Sequence, residues 1–235
     1  MEIELWSGVT KAIIDPLGAW VTNLSDDRGD ILFPKRSLKS DEGATKLRGG
    51  CHVCLPNFGP GGRSGQPQHG FGRELEWEMR ERTDSSAVLA LDGGRDGYEA
   101  LSSLLSYQVA DMSLSLRLEI MNNGSRDLRI APAFHPYFAL LGSSTTAVND
   151  EEQDLDDLNE AVFETADVMR VTTSSRNITL RSQQLPVWAK WTDQLGSYVC
   201  IEPTVGGFTF LEEVPTHEER LTPGERKIYS LEIAW

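Results

Sequence analysis

The chain is poor in positive charge. Its 235 residues carry 22 Lys and Arg against 36 Asp and Glu, a formal net charge of −14. Affinity for nucleic acid comes from neutralising phosphates with Lys and Arg, so this balance excludes nucleic acid as an expected partner. It argues equally against docking on anionic lipid. Long apolar runs are missing as well. None approaches the roughly 18 residues of a bilayer span, so no membrane partner is expected. The start Met1-Glu2-Ile3-Glu4-Leu5-Trp6 offers neither a basic stretch nor an apolar leader, and the expected location is the cytoplasm. Cysteine is scarce. Cys51, Cys54 and Cys200 are an odd, sparse set that makes no disulfide framework. Cys51-His52-Val53-Cys54 has C-x-x-C spacing, but no second C-x-x-C or H-x₃-H completes a zinc site. Leu55 stands where a c-type haem motif requires His. The two thiols read as small apolar side chains on a buried segment, with redox or metal chemistry as the alternative.

Long helical periodicity is also scarce. What is present is a succession of short β-branched and aromatic runs broken by Gly, Pro, Asn and Asp. Hydrophobic content is 39%, enough for a packed core and too much for general disorder. Lys11–Ile14 and Ala19–Leu24 predict a hairpin around Asp15-Pro16-Leu17-Gly18. Leu75–Arg82, Ala87–Leu91, Ala100–Ala110 and Met112–Met121 read as strands, followed by Leu128–Ala131, Tyr198–Ile201, Phe208–Leu211 and Lys227–Ala234. The clearest alternation sets Leu114, Leu116, Leu118 and Ile120 on one face and Ser113, Ser115, Arg117 and Glu119 on the other. Many strands at regular spacing predict a sandwich or barrel. With no internal repeat and no linker, residues 1–235 are expected to form one domain.

Two segments depart from the average. Residues 150–160 hold seven acids and no base, which reads as a solvated loop. Residues 43–73 hold Lys46, Arg48, Arg63 and Arg73 with no acid, and nine of the 21 glycines. Glycine lets backbone approach a ligand closely, and a long loop within a compact domain is more often functional than idle. Of the four histidines, His69 in Gln68-His69-Gly70-Phe71-Gly72-Arg73 and His135 in Phe134-His135-Pro136-Tyr137-Phe138 lie among aromatics. Each reads as a buried structural residue or as a proton-transfer group near neutral pH. His217 reads as part of an exposed turn and His52 as structural. Glu202 follows the apolar run Tyr198-Val199-Cys200-Ile201 and precedes Pro203. It is an ordinary strand-terminal residue or a base whose pKa burial has raised.

These residues carry a resemblance. Arg48-Gly49-Gly50-Cys51-His52-Val53-Cys54-Leu55-Pro56-Asn57-Phe58-Gly59, then Gln68-His69-Gly70-Phe71-Gly72-Arg73 and Trp77, resembles the aldose 1-epimerase (galactose mutarotase-like) superfamily, and most of all its glucose-6-phosphate 1-epimerase branch. His135-Pro136-Tyr137-Phe138 is similar to that branch's histidine motif. Val187-Trp188 and Tyr198-Val199-Cys200-Ile201-Glu202-Pro203 are similar to its segment around the catalytic glutamate. Leu221-Thr222-Pro223-Gly224-Glu225 matches its closing turn.

The resemblance implies an all-β fold, a large antiparallel β-sandwich with little helix and an open groove. It implies an isomerase that interconverts the α and β anomers of a hexose or hexose 6-phosphate without metal or redox cofactor. A base takes the proton of the C1 hydroxyl while an acid protonates the ring oxygen, from opposite sides of the hemiacetal. By the same resemblance Glu202 is the base and His135 the acid, and His69, Arg48, Arg73 and Gln68 bind the substrate. Arg73 would meet a sugar phosphate, for which its planar fork is suited. The family's sugar-holding Asp has no clear counterpart; Asp154, Asp156 and Asp157 are near in order but lie in the acidic run. Ala189-Lys190 stands where the branch has an Asn-Pro type sequence, and Pro60-Gly61-Gly62 makes a different loop. The expected partner is a small sugar or sugar phosphate, and the expected assembly a monomer or weak homodimer. A non-catalytic carbohydrate-binding protein is the alternative, because folds host many functions. A glycosidase would need two carboxylates flanking the bond.

Overall fold

Alternating side chains stand on opposite faces of a strand, so one period-2 run fixes which face is buried. In the computed structural model, which describes residues 1–142 and 145–235, Ser113–Asn122 buries Leu114, Leu116, Leu118 and Ile120 and leaves Ser115, Arg117 and Met121 exposed. Leu101–Ala110 pairs with it antiparallel over ten residues, and Arg226–Ala234 flanks its other side. The hairpin predicted from residues 11–24 forms as Thr10–Asp15 and Trp20–Asp26.

Two nine-stranded antiparallel sheets make a β-sandwich. The first runs Ile3–Ser7, Thr10–Asp15, Trp20–Asp26, Gly29–Leu32, Ala133–Ala139, Tyr198–Thr204, Val187–Trp191, Val162–Thr165; Cys51–Cys54 pairs with both Trp20–Asp26 and Ala133–Ala139. The second runs Glu151–Asp154, Thr145–Val148, Val168–Thr172, Asn177–Gln183, Arg226–Ala234, Ser113–Asn122, Leu101–Ala110, Ser86–Asp92, Glu78–Arg82. Their inner faces share one core, with Val21, Val53, Phe134, Phe138, Val199 and Ile201 from the first sheet meeting Leu89, Leu105, Leu116, Leu180 and Leu231 from the second. Among the described residues, helix is limited to short 3₁₀ turns.

Several expectations are corrected. Phe208–Leu211 is a 3₁₀ turn at Thr209–Leu211, because only Phe210 of its side chains is deeply buried. The run from Leu75 becomes strand only at Glu78, after a 3₁₀ turn at Gly72–Glu74, and the run from Leu128 pairs for just two residues. Residues 43–73 are not one loop. They include Thr45–Arg48, in a hairpin with Arg36–Lys39, and the interior strand Cys51–Cys54. The acidic run is exposed at its carboxylates as expected, but it forms strand Glu151–Asp154 and a 3₁₀ turn that buries Leu155 and Leu158.

Candidate active site

Ala133–Ala139 and Tyr198–Thr204 are buried on both faces. One face supplies the core. The other carries Ala133, His135 and Tyr137 beside Cys200, Glu202 and Thr204, and forms the floor of a cleft. Register aligns a single row of side chains across this floor. His135 pairs with His52, Glu202 with Ala189, and Ala189 with Phe163. The flanking pairs Ala133–Thr204 and Tyr137–Cys200 set His135 opposite Glu202, and Val21–Cys51 sets Trp20 opposite His52. The ladder between these two central strands skips the stretch holding His135 and Glu202, next to which stand Pro136 and Pro203, residues that cannot donate to it.

The cleft has a volume of about 530 Å³, within the roughly 300–1,000 Å³ of small-molecule sites. At its base Nε2 of His135 lies 3.2 Å from Oε2 of Glu202, with the side chains 4% and 2% exposed. The contact lacks the alignment of a hydrogen bond and leaves Oε2 of Glu202 without a bonded partner; Nδ1 on the other side of the His135 ring also has none among the described residues. Burial drives both groups toward their uncharged forms. It pushes the Glu202 carboxyl well above the usual carboxylate range. It pulls the His135 imidazole well below its ordinary value, with His69, Arg73 and Arg48 adding to the effect. A carboxyl and an imidazole so placed can exchange a proton without changing their total charge.

His69 stands edge-on to His135, with ring centroids 4.9 Å apart. Its Nδ1 accepts the Gly59 backbone N–H at 3.2 Å and lies 3.3 Å from the Cys54 sulfur. Burial, then Arg73 and Arg48, holds its pKa down to about 3, so the ring is neutral at physiological pH. With Nδ1 committed as an acceptor, the proton sits on Nε2. The Gln68 amide lies 3.4 Å from that nitrogen.

Three cations line the cleft: Lys46, Arg48 and Arg73. Arg48 is held by Asp193, through Nε at 2.9 Å and a terminal nitrogen at 2.8 Å, and its guanidinium lies 5.5 Å from the Trp191 ring centre. The Tyr198 hydroxyl donates to the same aspartate. Arg73 donates to the Gln68 carbonyl at 3.0 Å. Neither Arg73 nor Lys46 has a carboxylate partner among the described residues. Phe58 and Phe208, stacked at 5.4 Å, form one wall, and Trp191 and Tyr137 also line the cleft. Glu202 is its sole carboxylate among the described lining residues.

All six residues singled out from the sequence, Arg48, Gln68, His69, Arg73, His135 and Glu202, line this one cleft. His135 and Glu202 rise side by side from one floor. Arg63 does not join the other cations; it sits on the surface, paired with Glu213. Asp154, Asp156 and Asp157 are absent from the lining residues. Sequence reasoning missed Trp191 and Asp193, counted Lys46 only within the basic segment, and gave His52 no place beside the site. His52 stacks on both Trp20 and His135, at 4.3 Å and 4.7 Å, and neither of its ring nitrogens has a partner. The alternation of Cys51-His52-Val53-Cys54 carried the signal, since Cys51 and Val53 belong to the core and His52 must then face the other way.

The family model described as aldose 1-epimerase matches residues 1–195. Glu202 lies beyond the end of that match. A Salmonella typhimurium protein, provisionally named glucose-6-phosphate 1-epimerase, is 28% identical over 95 residues, covering 39% of this chain and 32% of that protein. The match thus spans about a third of the curated relative's length. A galactose mutarotase-like protein from Lactobacillus casei superposes with a TM-score of 0.81 at 16% identity, over 100% of this chain and 99% of that one. The galactose mutarotase related enzyme from Lactobacillus acidophilus gives 0.80 at 15% identity, over 100% and 97%.

Proposed function

Since the chain belongs to the aldose 1-epimerase family, we propose that it is a mutarotase, exchanging the α and β anomers of a hexose or hexose 6-phosphate by acid-base ring opening and closure. The observation that carries this reading is the opposition of His135 and Glu202 at 3.2 Å on the cleft floor. The hydroxyl and ring oxygens of a hemiacetal share one carbon, so an acid and a base standing side by side reach both. The proton held by the carboxyl passes to the imidazole when sugar oxygens solvate the pair. Glu202 then takes the C1 hydroxyl proton while His135 gives its proton to the ring oxygen. The C1–O5 bond breaks, the C1–C2 bond turns, and closure from the other face returns each proton to its donor. General acid-base catalysis of this kind needs a pair with opposed protonation states, which Glu and His provide.

His69 supports the ring oxygen side by donating from Nε2, and Gln68 and Arg48 hold hydroxyls. The aromatic walls face the apolar edges of the ring. Arg73 and Lys46, free of carboxylate partners, favour a phosphorylated hexose, whose dianion an Arg fork binds bidentately. A glycosidase reading is disfavoured because it needs a second carboxylate on the cleft.

The test is anomer exchange by polarimetry or NMR. Glu202→Gln and His135→Asn should each lower the rate by about 10²–10⁴, the range of general acid-base catalysis, with the circular dichroism of the fold kept. Rates near wild type in either variant would overturn the assignment. Assays on glucose, galactose and their 6-phosphates in Arg73→Ala and Lys46→Ala then decide the substrate. A phosphate preference that collapses in these variants supports the phosphorylated hexose; equal rates on free sugars, untouched by the changes, refute it.

A further inference from the structure

Cys200 lies two residues before Glu202 on the same strand, and so shares its face. It pairs in register with Tyr137, one step along the floor from His135. The ligand atoms of His135, Cys200 and Glu202 lie within 4.8 Å of one another, and all three residues are buried. Oε2 of Glu202 is aimed among them with no hydrogen-bond partner. The proton exchange proposed above does not use the thiol.

We propose that Cys200, His135 and Glu202 form a site for a soft divalent cation of the Zn²⁺ or Cd²⁺ class, and that the bound ion shuts off the acid-base pair. Thiolate, imidazole and carboxylate are the three donor types that zinc accepts, and three protein ligands leave a fourth position open to the cleft. Nitrogen and oxygen ligands at zinc's bond lengths stand roughly 3.3–3.4 Å apart in a tetrahedron. His135 and Glu202 already stand at 3.2 Å. The Cys200 sulfur lies within 4.8 Å of both, and coordination requires it to close to roughly 3.6 Å. The thiolate sets the class, since Mg²⁺ and Ca²⁺ prefer all-oxygen sites. Binding sends the thiol proton and the labile proton of the pair to solvent, and the ion takes their place. The other two cysteines do not compete. Cys54 lies against His69 at 3.3 Å, and Cys51 belongs to the core between the sheets.

The inhibition rests on the mutarotase reading; the binding does not. Cd²⁺ is titrated into the whole protein and the ultraviolet thiolate-to-cadmium band is followed. Wild type, Cys51→Ala and Cys54→Ala should show the band, and Cys200→Ala should lose it. In Cys200→Ser, which keeps the side chain's size, Cd²⁺ affinity measured calorimetrically should fall at least about tenfold, the least that loss of even an outer partner of a metal site costs. Zn²⁺ should inhibit anomer exchange in the wild type, reversibly with EDTA, and at least tenfold less potently in Cys200→Ala, whose uninhibited rate is retained. No band in the wild type, or a band that survives Cys200→Ala, overturns the site. Protein that shows the Cys200-dependent band but exchanges no anomers keeps the site and refutes the mutarotase reading instead.

Discussion

Substitution of Asp26 is expected to remove about 3–5 kcal/mol of stability, the cost of leaving one member of a buried ion pair alone. The Asp26 carboxylate and Arg176 guanidinium are 1% and 2% exposed. They meet through two parallel bonds of 2.7 and 2.6 Å, and Arg176 also donates to the Gly29 carbonyl at 2.9 Å. The indole of Trp235 and the Arg28 amide donate to the same carboxylate, at 2.9 and 2.8 Å. Asp26 ends a strand of the first sheet, Arg176 sits in the turn before Asn177–Gln183 of the second, and Trp235 ends the chain, so the pair ties the two sheets together. Asp26→Ala strands the Arg176 guanidinium and two neutral donors, and also removes the partner of the half-exposed Arg28 guanidinium at 3.3 Å. At about 3 kcal/mol per molar in urea, the unfolding midpoint should drop by on the order of 1–2 M. Asp26→Leu with Arg176→Met should be more stable than either single change, because it leaves no buried charge unpaired. Arg176, acting first, holds the Asp26 carboxyl far below the usual carboxylate range. A depressed carboxyl pKa gives stability that is full above the unfolded value near 3.8 and is lost as pH falls toward the folded one. Urea unfolding of Asp26→Ala, the double variant and its two single changes at pH 7 and pH 3 checks this. A loss below about 1 kcal/mol for Asp26→Ala, typical of an exposed pair, would refute the reasoning, as would a double variant no better than the singles.

Three further outcomes follow. Burial, as the first cause, lowers the pKa of His52, His69 and His135, so the unfolded chain binds more protons below pH 6.5 and stability should fall on acidification from pH 6.5 to 5. His52→Phe, which keeps the stacking on Trp20 and His135, should flatten that fall by about 1.4 kcal/mol per pH unit, and an unchanged slope in thermal unfolding would show that His52 is not held neutral. Asp193→Ala should free Arg48 and raise KM roughly fivefold, for an interaction of about 1 kcal/mol, with kcat little changed; a loss confined to kcat would place Asp193 in the chemistry itself. Gly50 has φ +68°, and a Cβ there would meet the Val21 carbonyl at 2.0 Å, so Gly50→Ala should cost at least about 1–3 kcal/mol, and a denaturation midpoint equal to wild type would contradict the close approach.

The edges of strands were legible where one face is wet. Ser113–Asn122 alternates because its outer residues meet solvent. Ala133–Ala139 and Tyr198–Thr204 show no such contrast, since core covers one face and the cleft the other. That two-sided burial hid the first as a strand and shortened the second to Ile201. Glu202 and His135 were found by local context and resemblance, which need no knowledge of pairing. His52 and Asp193 needed it. His52 joins the site through the register of Cys51–Cys54 against Ala133–Ala139, and Asp193 through a contact with Arg48 across 145 positions of chain. The basic character of residues 43–73 was real but overcounted, because Arg63 turns outward to Glu213.

The hairpin Arg36–Lys39 and Thr45–Arg48, which brings Lys46 and Arg48 to the cleft, is paired only with itself, apart from the strands that carry His135 and Glu202. Two of the three cations lining the cleft therefore sit on a piece of chain separate from the strands that carry His135 and Glu202. The floor is tied into the core, whereas the hairpin is held by its chain ends, by the Arg48–Asp193 ion pair and by Leu38 packed beside Phe33 and Tyr198. Exchanging its tip, or re-charging it at position 46, offers a route to retarget the cleft toward neutral or differently substituted sugars while the chemistry beneath it stays as it is.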